Sequence, residues 1–192
     1  GSEGQLLRFH LECESDCFSL DNDALARLPE EKPVVVAWVT KSDDPFTQLA
    51  LQSMVEDGQL DVIKDSPDNW PIQAEYDVVI FDGWIPDTLP QDKPSMVINP
   101  DRSADAVRIE RLPAGVVTQE DIRVTDDRHP LLFRIAASRI TLGQTSRFTN
   151  LGSLTPLWLA ENEPVLAAGE VDGRRLVVMN FSPEHSEYLR LS

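Results

Sequence analysis

Cysteine is scarce in this sequence, and long apolar segments are missing from it. The 192 residues include two cysteines, Cys13 and Cys17, whose C-x3-C spacing has no second pair to complete a metal site. Three interpretations of these cysteines stay open: two ordinary thiols near a turn, a local disulfide, or a pair of metal ligands. A disulfide would imply an oxidising compartment. No apolar run reaches the roughly 18 residues that a membrane-spanning helix needs, so we expect no direct membrane insertion.

The glycine-rich motifs of two large enzyme classes are also missing. Neither G-x-S-x-G nor G-x-C-x-G occurs, and both cysteines precede the first core strand, so the strained turn that presents a nucleophile has no candidate. Neither G-x-G-x-x-G nor G-x-x-x-x-G-K-[ST] occurs, and the turn after the first core strand is acidic, which argues against a bound phosphate. We therefore predict that the chain is not an enzyme and has no cofactor.

Acidic pairs recur in the sequence without forming a known cation loop. Asp43-Asp44 and Asp126-Asp127 are examples, and the D-x-D-x-D-G-x5-E pattern of calcium loops does not occur. Adjacent aspartates in turns usually cap helices or form Asx turns. We predict no metal site.

Positive charge is in short supply. The chain has 17 Lys and Arg against 33 Asp and Glu, which gives a formal net charge of −16. Phosphate backbones and anionic lipids both need clustered cations, so neither nucleic acid nor a membrane surface is an expected partner. A solvated, self-repelling surface explains the charge, with a basic protein partner or a cation site as alternatives.

What the sequence does contain is a series of short β-branched and apolar runs. Residues 34–39, 60–63, 77–82 and 95–98 each read as a strand bounded by turn residues, and continuous apolar runs of this kind are typical of parallel strands buried on both faces. Asp44-Pro45 predicts a helix start between the first two strands, and Gly58 predicts its end. This β-α-β pattern predicts an α/β fold with a mainly parallel, flavodoxin-like sheet and helices on its faces.

The two ends of the chain are β-rich. Residues 1–32 show period-two alternation followed by a Pro- and Glu-rich linker, so we interpret them as the end of a preceding β-sandwich or as a hairpin. Residues 33–192 form the main domain. Near its end, Asp172-Gly173 lies between two apolar runs and predicts a two-residue β-hairpin.

Ligands of open parallel sheets bind beyond the carboxyl ends of the strands, and Asp82-Gly83-Trp84 occupies such a position. Trp84 either packs against a neighbour or stacks on a sugar or aromatic ring of a ligand. If a pocket exists, the strand ends and the segment after the last strand would form it, through Lys41, Ser42, Asp43, Asp82, Gly83, Trp84, Ser182 and His185.

The order of several segments resembles a known family. Residues 76–86, His129-Pro130, residues 164–170 and residues 175–182 are similar to a class I glutamine amidotransferase-like domain of large bacterial membrane proteins. Those proteins also carry a von Willebrand factor A domain and Bat-type (aerotolerance-like) membrane helices. The resemblance spans most of the chain, and in the family a β-sandwich segment precedes this domain, while an apolar helix and a membrane span follow the position of Ser192.

The resemblance implies a fold without its catalytic apparatus. Active amidotransferases carry a Cys elbow and a Phe-His-Pro-Glu-like segment, whereas this chain has no elbow Cys and places Ser182 where that His would stand. The resemblance therefore implies a non-catalytic interaction or structural module of a membrane-anchored bacterial protein, outside the cytoplasm, that binds a protein partner or other domains of its parent chain. The alternative is a small-ligand-binding module or weak hydrolase with a pocket at the strand ends.

Overall fold

A computed structural model of the chain describes residues 6–10, 23–27, 32–41, 44–112, 117–120, 122–132, 140–144, 146–183 and 186. The chain divides into two compact units, residues 1–33 and 34–192, and each is described by itself. In the first unit, β1 (Leu6–His10) pairs with β2 (Asp23–Arg27) in the antiparallel direction. Arg8 Nε donates to Asp23 Oδ1 at 3.0 Å and links the two strands. This pairing fits either expected arrangement, the end of a β-sandwich or a hairpin, and the choice between them stays a prediction.

The second unit is rich in strands. Its strands are β3 (Val34–Thr40), β4 (Leu60–Asp65), β5 (Val78–Asp82), β6 (Ser95–Ile98), β7 (Arg108–Arg111), β8 (Val117–Glu120), β9 (Arg123–Val124), β10 (Ile140–Gln144), β11 (Ser146–Asn150), β12 (Thr155–Ala160), β13 (Glu163–Val171), β14 (Arg174–Met179) and β15 (Phe181–Ser182). The described helical elements are α1 (Pro45–Glu56) and the 3-10 turns Pro67–Asn69 and Pro130–Leu132.

Eight strands form one mixed sheet in the order β4-β3-β5-β6-β14-β13-β12-β9. β3 pairs in parallel with β4 and β5, and β6 pairs in parallel with β5 and β14. β13, β12 and β9 continue the sheet by antiparallel pairing. The fold is thus α/β, and the expectation of a mainly parallel sheet holds for its first five strands. The rest is antiparallel because tight connections join β12 to β13 and β13 to β14.

The central strands are apolar on both faces, as their sequences predict. On one face, Val39, Val79 and Phe81 are fully buried and belong to the largest apolar cluster. On the other face, Val36, Trp38 and Ile80 pack with Leu51 of α1. Alternate residues of a strand point to opposite faces, so a continuous apolar run supplies two packing surfaces at once.

Helix α1 begins and ends where its sequence predicts. The carboxylate of Asp44 accepts hydrogen bonds from Phe46 N at 2.9 Å and from Thr47 Oγ1 at 3.1 Å. Pro45 is the first helical residue, and its missing N–H costs nothing there. The helix gives way to a turn at Gly58, whose φ of +69° is in the left-handed region that glycine favours. The predicted helix is confirmed.

Helices do not cover both faces of the sheet, which corrects the expected architecture. Within the described ranges, α1 is the one α-helix. On the face of the largest cluster, the covering residues come from the connections after β5 and β6 and from β11, such as Ile85, Leu89, Val107 and Phe148. Proline is frequent in those connections, and it removes the backbone donors that a helix needs.

The described residues of the second unit form two further, smaller sheets. They have the strand orders β15-β10-β8 and β11-β7. The predicted hairpin between β13 and β14 is confirmed: Asp172 and Gly173 have φ angles of +51° and +78°, as a type I′ turn requires. Among the described residues, no helix has the length and apolar character to cross a membrane.

Candidate functional site

The carboxyl ends of the parallel strands lie level with one another. Lys41 N donates to Asp82 O at 3.1 Å, which joins the ends of β3 and β5. Gly83 N donates to Ile98 O at 2.9 Å and Asn99 N donates to Met179 O at 2.7 Å, which continues the row through β6 to β14. Gly83 and Asn99 have φ angles of +68° and +50°, so the chain turns sharply as it leaves these strands. The structure thus brings Lys41, Asp82 and Gly83 together.

Asp82 is buried beneath the α1 side of the sheet. Only 2% of the Asp82 surface is exposed. Trp38 Nε1 donates to Asp82 Oδ2 at 3.3 Å, and Thr40 Oγ1 donates to the same oxygen at 3.4 Å. These donors compensate the cost of burying a carboxylate. Asp82 therefore has a structural position inside the domain.

Trp84 lies on the opposite face from Asp82. Its ring meets the ring of Phe81 edge to face, with 5.8 Å between centroids. Phe81 precedes Asp82 in β5, so the two side chains point to opposite faces. Trp84 is half-buried and packs against the largest apolar cluster. The two residues of the expected pocket therefore do not face one cavity together.

A series of ion pairs lies at the strand ends near Trp84. Lys41 Nζ lies 3.1 Å from Asp101 Oδ2, and Arg102 Nε lies 3.5 Å from Asp101 Oδ1. The guanidinium of Arg102 stands over the Trp84 ring, 5.7 Å from its centroid, and also lies 3.6 Å from the carboxylate of Asp87. Lys41 and Trp84 are thus connected through a mixed-charge network of exposed and half-buried groups.

Ser182 lies in a different sheet. It is part of β15, where it pairs with Gly143 of β10 and is buried. Ser186 Oγ donates to Ser182 O at 2.6 Å and accepts from Gly143 N at 3.2 Å, so Ser186 fixes this strand pair. The remaining predicted pocket residues, Ser42, Asp43 and His185, lie outside the described residues, as do both cysteines.

Sequence reasoning missed Asp101 and Arg102. They follow Asn99-Pro100 at the end of β6, which is the direct neighbour of β5. The order of the parallel strands is the signal that would have found them, because neighbouring strands end at one edge. If the strand order is not known, nothing in the sequence separates Asp101 and Arg102 from other charged loop residues.

The chemistry of this edge is one of ion pairs and packing. The residues directly after the five parallel strands are Lys41, Ser66, Gly83, Asn99 and Asn180. Ser66 has the one hydroxyl among them, and its Oγ accepts from Asp68 N at 3.3 Å to cap a 3-10 turn. Within the part of the chain that the structure describes, no three His, Cys, Asp or Glu side chains form a group suited to a metal ion.

Comparison with known proteins identifies the fold. No family model matches the sequence. No curated protein matches it either. Among solved structures, a glutamine amidotransferase from Thermotoga maritima aligns with a TM-score of 0.51 and 12% identity, over 79% of this chain and 76% of that one. At this identity the likeness concerns the fold alone, which is amidotransferase-like.

Two cytoplasmic proteins of Salmonella typhimurium align over more of the chain but less closely. Their TM-scores are 0.45 and 0.48, with 9% and 10% identity, and each alignment covers 94% of this chain and 85% of theirs.

Proposed function

We propose that this chain is a non-catalytic interaction or structural module built on an amidotransferase-like fold. The proposal rests on one observation: the polar side chains at the strand ends already contact other residues of the domain. Asp82 is buried with Trp38 and Thr40, and Lys41 is paired with Asp101. Asp82 therefore contributes to the interior of the domain, and a substrate would have to displace Asp101 to reach the Lys41 ammonium.

The distribution of nucleophiles supports the same proposal. Both cysteines precede β3 in the sequence, so neither follows a strand of the eight-stranded sheet. An amidotransferase of this fold attacks its substrate with an elbow Cys, and a hydrolase needs an equivalent Ser. Assays of glutamine and ester hydrolysis test the proposal, with no turnover expected.

The parent protein is part of the proposal. We infer a bacterial membrane-anchored parent with a von Willebrand factor A domain and Bat-type helices, in which this domain lies outside the cytoplasm. Its support is the resemblance of residues 76–86, 164–170 and 175–182 to that family, and the partner would be another protein or another domain of the parent. Locating the parent gene and its coding neighbours tests it: a parent without membrane helices contradicts it.

A small-ligand site is the second candidate, favoured by the position of Arg102 over Trp84. A cation beside an indole face can bind a planar anionic ring or a sugar acid by stacking and ion pairing. Titration with such ligands while the tryptophan fluorescence is recorded tests this candidate. Saturable quenching that Trp84→Phe weakens would support it, and unchanged fluorescence would contradict it.

A further inference from the structure

In the part of the chain that the structure describes, the outer edge of β4 is an open end of the large sheet. Among the strands that the described residues form, β4 has one neighbour, β3. Val34 is level with Leu60, and Val34 N donates to Gln59 O at 3.0 Å. In parallel pairing a residue bonds to the two residues that flank its partner. The odd-numbered residues of β4 therefore bond to β3, and the even-numbered ones present their backbone groups outward.

Three residues of β4 thus have outward N–H and C=O groups: Leu60, Val62 and Lys64. Their side chains lie on the face that α1 covers, since Leu60 and Val62 pack with the cluster that contains Leu51 of α1, and Lys64 reaches Trp38 of the same cluster. Leu60 and Val62 are half-buried members of the apolar cluster beneath α1. An added strand would find a row of hydrogen-bonding groups with apolar side chains on one face.

The other face of β4 and its surroundings are acidic. Asp61 is exposed and Asp65 is half-buried on the face opposite α1. Glu56 and Asp57, both exposed, lie at the end of α1 just before β4 begins. Asp68 follows β4 in the 3-10 turn. Lys64 is the one cation among these positions, and its Nζ already stands over the Trp38 ring at 4.7 Å.

We propose that the open edge of β4 binds an extended basic segment of a protein partner, which joins the sheet as a further strand. Main-chain hydrogen bonds to Val62 and its outward-facing neighbours hold the segment. The alternating side chains of the segment determine which sequences bind. Its apolar residues pack beside Leu60 and Val62, while its Lys or Arg residues face Asp61 and Asp65. Opposite charges across neighbouring strands stabilise such a pair.

Charge decides between this occupant and a second copy of the chain. Each chain has a net charge of −16, so two copies repel one another before their edges meet. A basic segment is attracted instead. The inference deepens the proposed interaction function and rests on it, because it names the chemistry of the partner and the surface that receives it.

A synthetic peptide provides the probe. The fluorescein-labelled hexapeptide Lys-Val-Lys-Val-Lys-Val is titrated with the full 192-residue chain by fluorescence anisotropy, and Glu-Val-Glu-Val-Glu-Val is the matched control peptide. A short exposed edge predicts weak binding of the basic peptide, with a Kd on the order of 10–100 μM. The affinity should fall as NaCl rises from about 50 to about 300 mM, because salt screens exposed charges. The acidic peptide should not bind.

Two variants locate the binding surface. Val62→Pro removes an outward N–H that β3 does not use, and an edge strand tolerates proline at such a position, so affinity should fall about tenfold with the fold retained. Asp61→Lys should weaken binding about fivefold. Asp127→Lys changes the net charge equally beside β9, at the opposite edge of the sheet, and should leave the affinity within about twofold of wild type.

Three results would overturn the inference. Equal losses from Asp61→Lys and Asp127→Lys would show a general charge effect, and unchanged binding by a folded Val62→Pro variant would show that the edge is not used. Sedimentation that reveals a dimer broken by Val62→Pro would place a second copy on the edge. Each of these outcomes leaves the non-catalytic function standing, whereas glutamine hydrolysis would contradict that function and say nothing of the edge.

Discussion

The guanidinium of Arg174 is buried and lies 3.1 Å from the carboxylate of Asp105, linking the last parallel strand to the connection after β6. Arg174 Nη1 also donates to Leu89 O at 3.0 Å and to Pro90 O at 3.3 Å. One side chain thus fastens two irregular connections over the largest apolar cluster. These connections cover the face on which helices were expected, and Arg174 ties both of them to β14.

Replacement of Arg174 should therefore destabilise the domain strongly. Arg174→Met keeps most of the volume but leaves a buried carbonyl, Leu89 O, and a part-buried one, Pro90 O, without their charged donor, and we expect a loss of about 3 kcal/mol in the free energy of unfolding. Arg175→Met is the matched control, since Arg175 is exposed on the other face of β14, and it should change stability by less than about 0.5 kcal/mol. Urea unfolding measures both, and equal effects would contradict the role of Arg174.

The N-cap of α1 gives a second test. Asp44→Ala removes the acceptor for Phe46 N and Thr47 Oγ1 and should cost about 1–2 kcal/mol of stability. Asp44→Asn retains an acceptor of the same size and should cost less than about 0.5 kcal/mol. Thermal unfolding followed by circular dichroism compares the variants, and an Ala variant as stable as the Asn variant would show that the cap contributes little.

Trp84 is expected to contribute through packing. Trp84→Ala removes its edge contact with Phe81 and should cost about 2 kcal/mol, roughly half the loss for a fully buried tryptophan. Trp84→Phe keeps an aromatic ring there and should cost less than about 1 kcal/mol. Chemical unfolding measures the difference. A Trp84→Ala variant of wild-type stability would favour the ligand-stacking alternative instead.

The carboxylate of Asp65 offers a test by titration. Hydrogen bonds from Asn69 Nδ2 and then from Ser66 N lower the pKa of Asp65. A pKa lowered in the folded state stabilises the fold above the unfolded value of about 3.9, and that contribution is lost as the pH falls through the folded pKa. Asn69→Ala should raise the pKa of Asp65 toward its ordinary value in a carbon-detected NMR titration. An unchanged pKa would show that the Asn69 contact does not persist in solution.

Local chemistry allowed the parallel strands, the helix and the last hairpin to be predicted. The β-branched run that became β3, the Asp44-Pro45 start of α1 and the Asp172-Gly173 turn each have a cause that lies within a few residues. Strand β11 was not predicted, because Ser146–Asn150 has weak alternation and takes its stability from pairing with the distant β7. Helices were expected on both faces of the sheet, and this was wrong because loops can cover an apolar face as well as helices can.

The candidate site was less predictable than the fold. The approach of Lys41 to Asp101 depends on the order of strands, which no local pattern encodes. The buried position of Arg174 did have a signal: it alternates with Leu176 and Val178 in β14, so period-two register places it on the core face. The signal was missed because a charged side chain is normally expected on the exposed face.

The hydrolysis of glutamine tests the central claim most directly. The purified chain is incubated with glutamine and the release of ammonia is measured, in parallel with folded Ser66→Ala and Ser182→Ala variants. The non-catalytic account predicts the same background rate for wild type, both variants and buffer alone. Turnover by the wild-type chain that one of these substitutions abolishes would contradict the account.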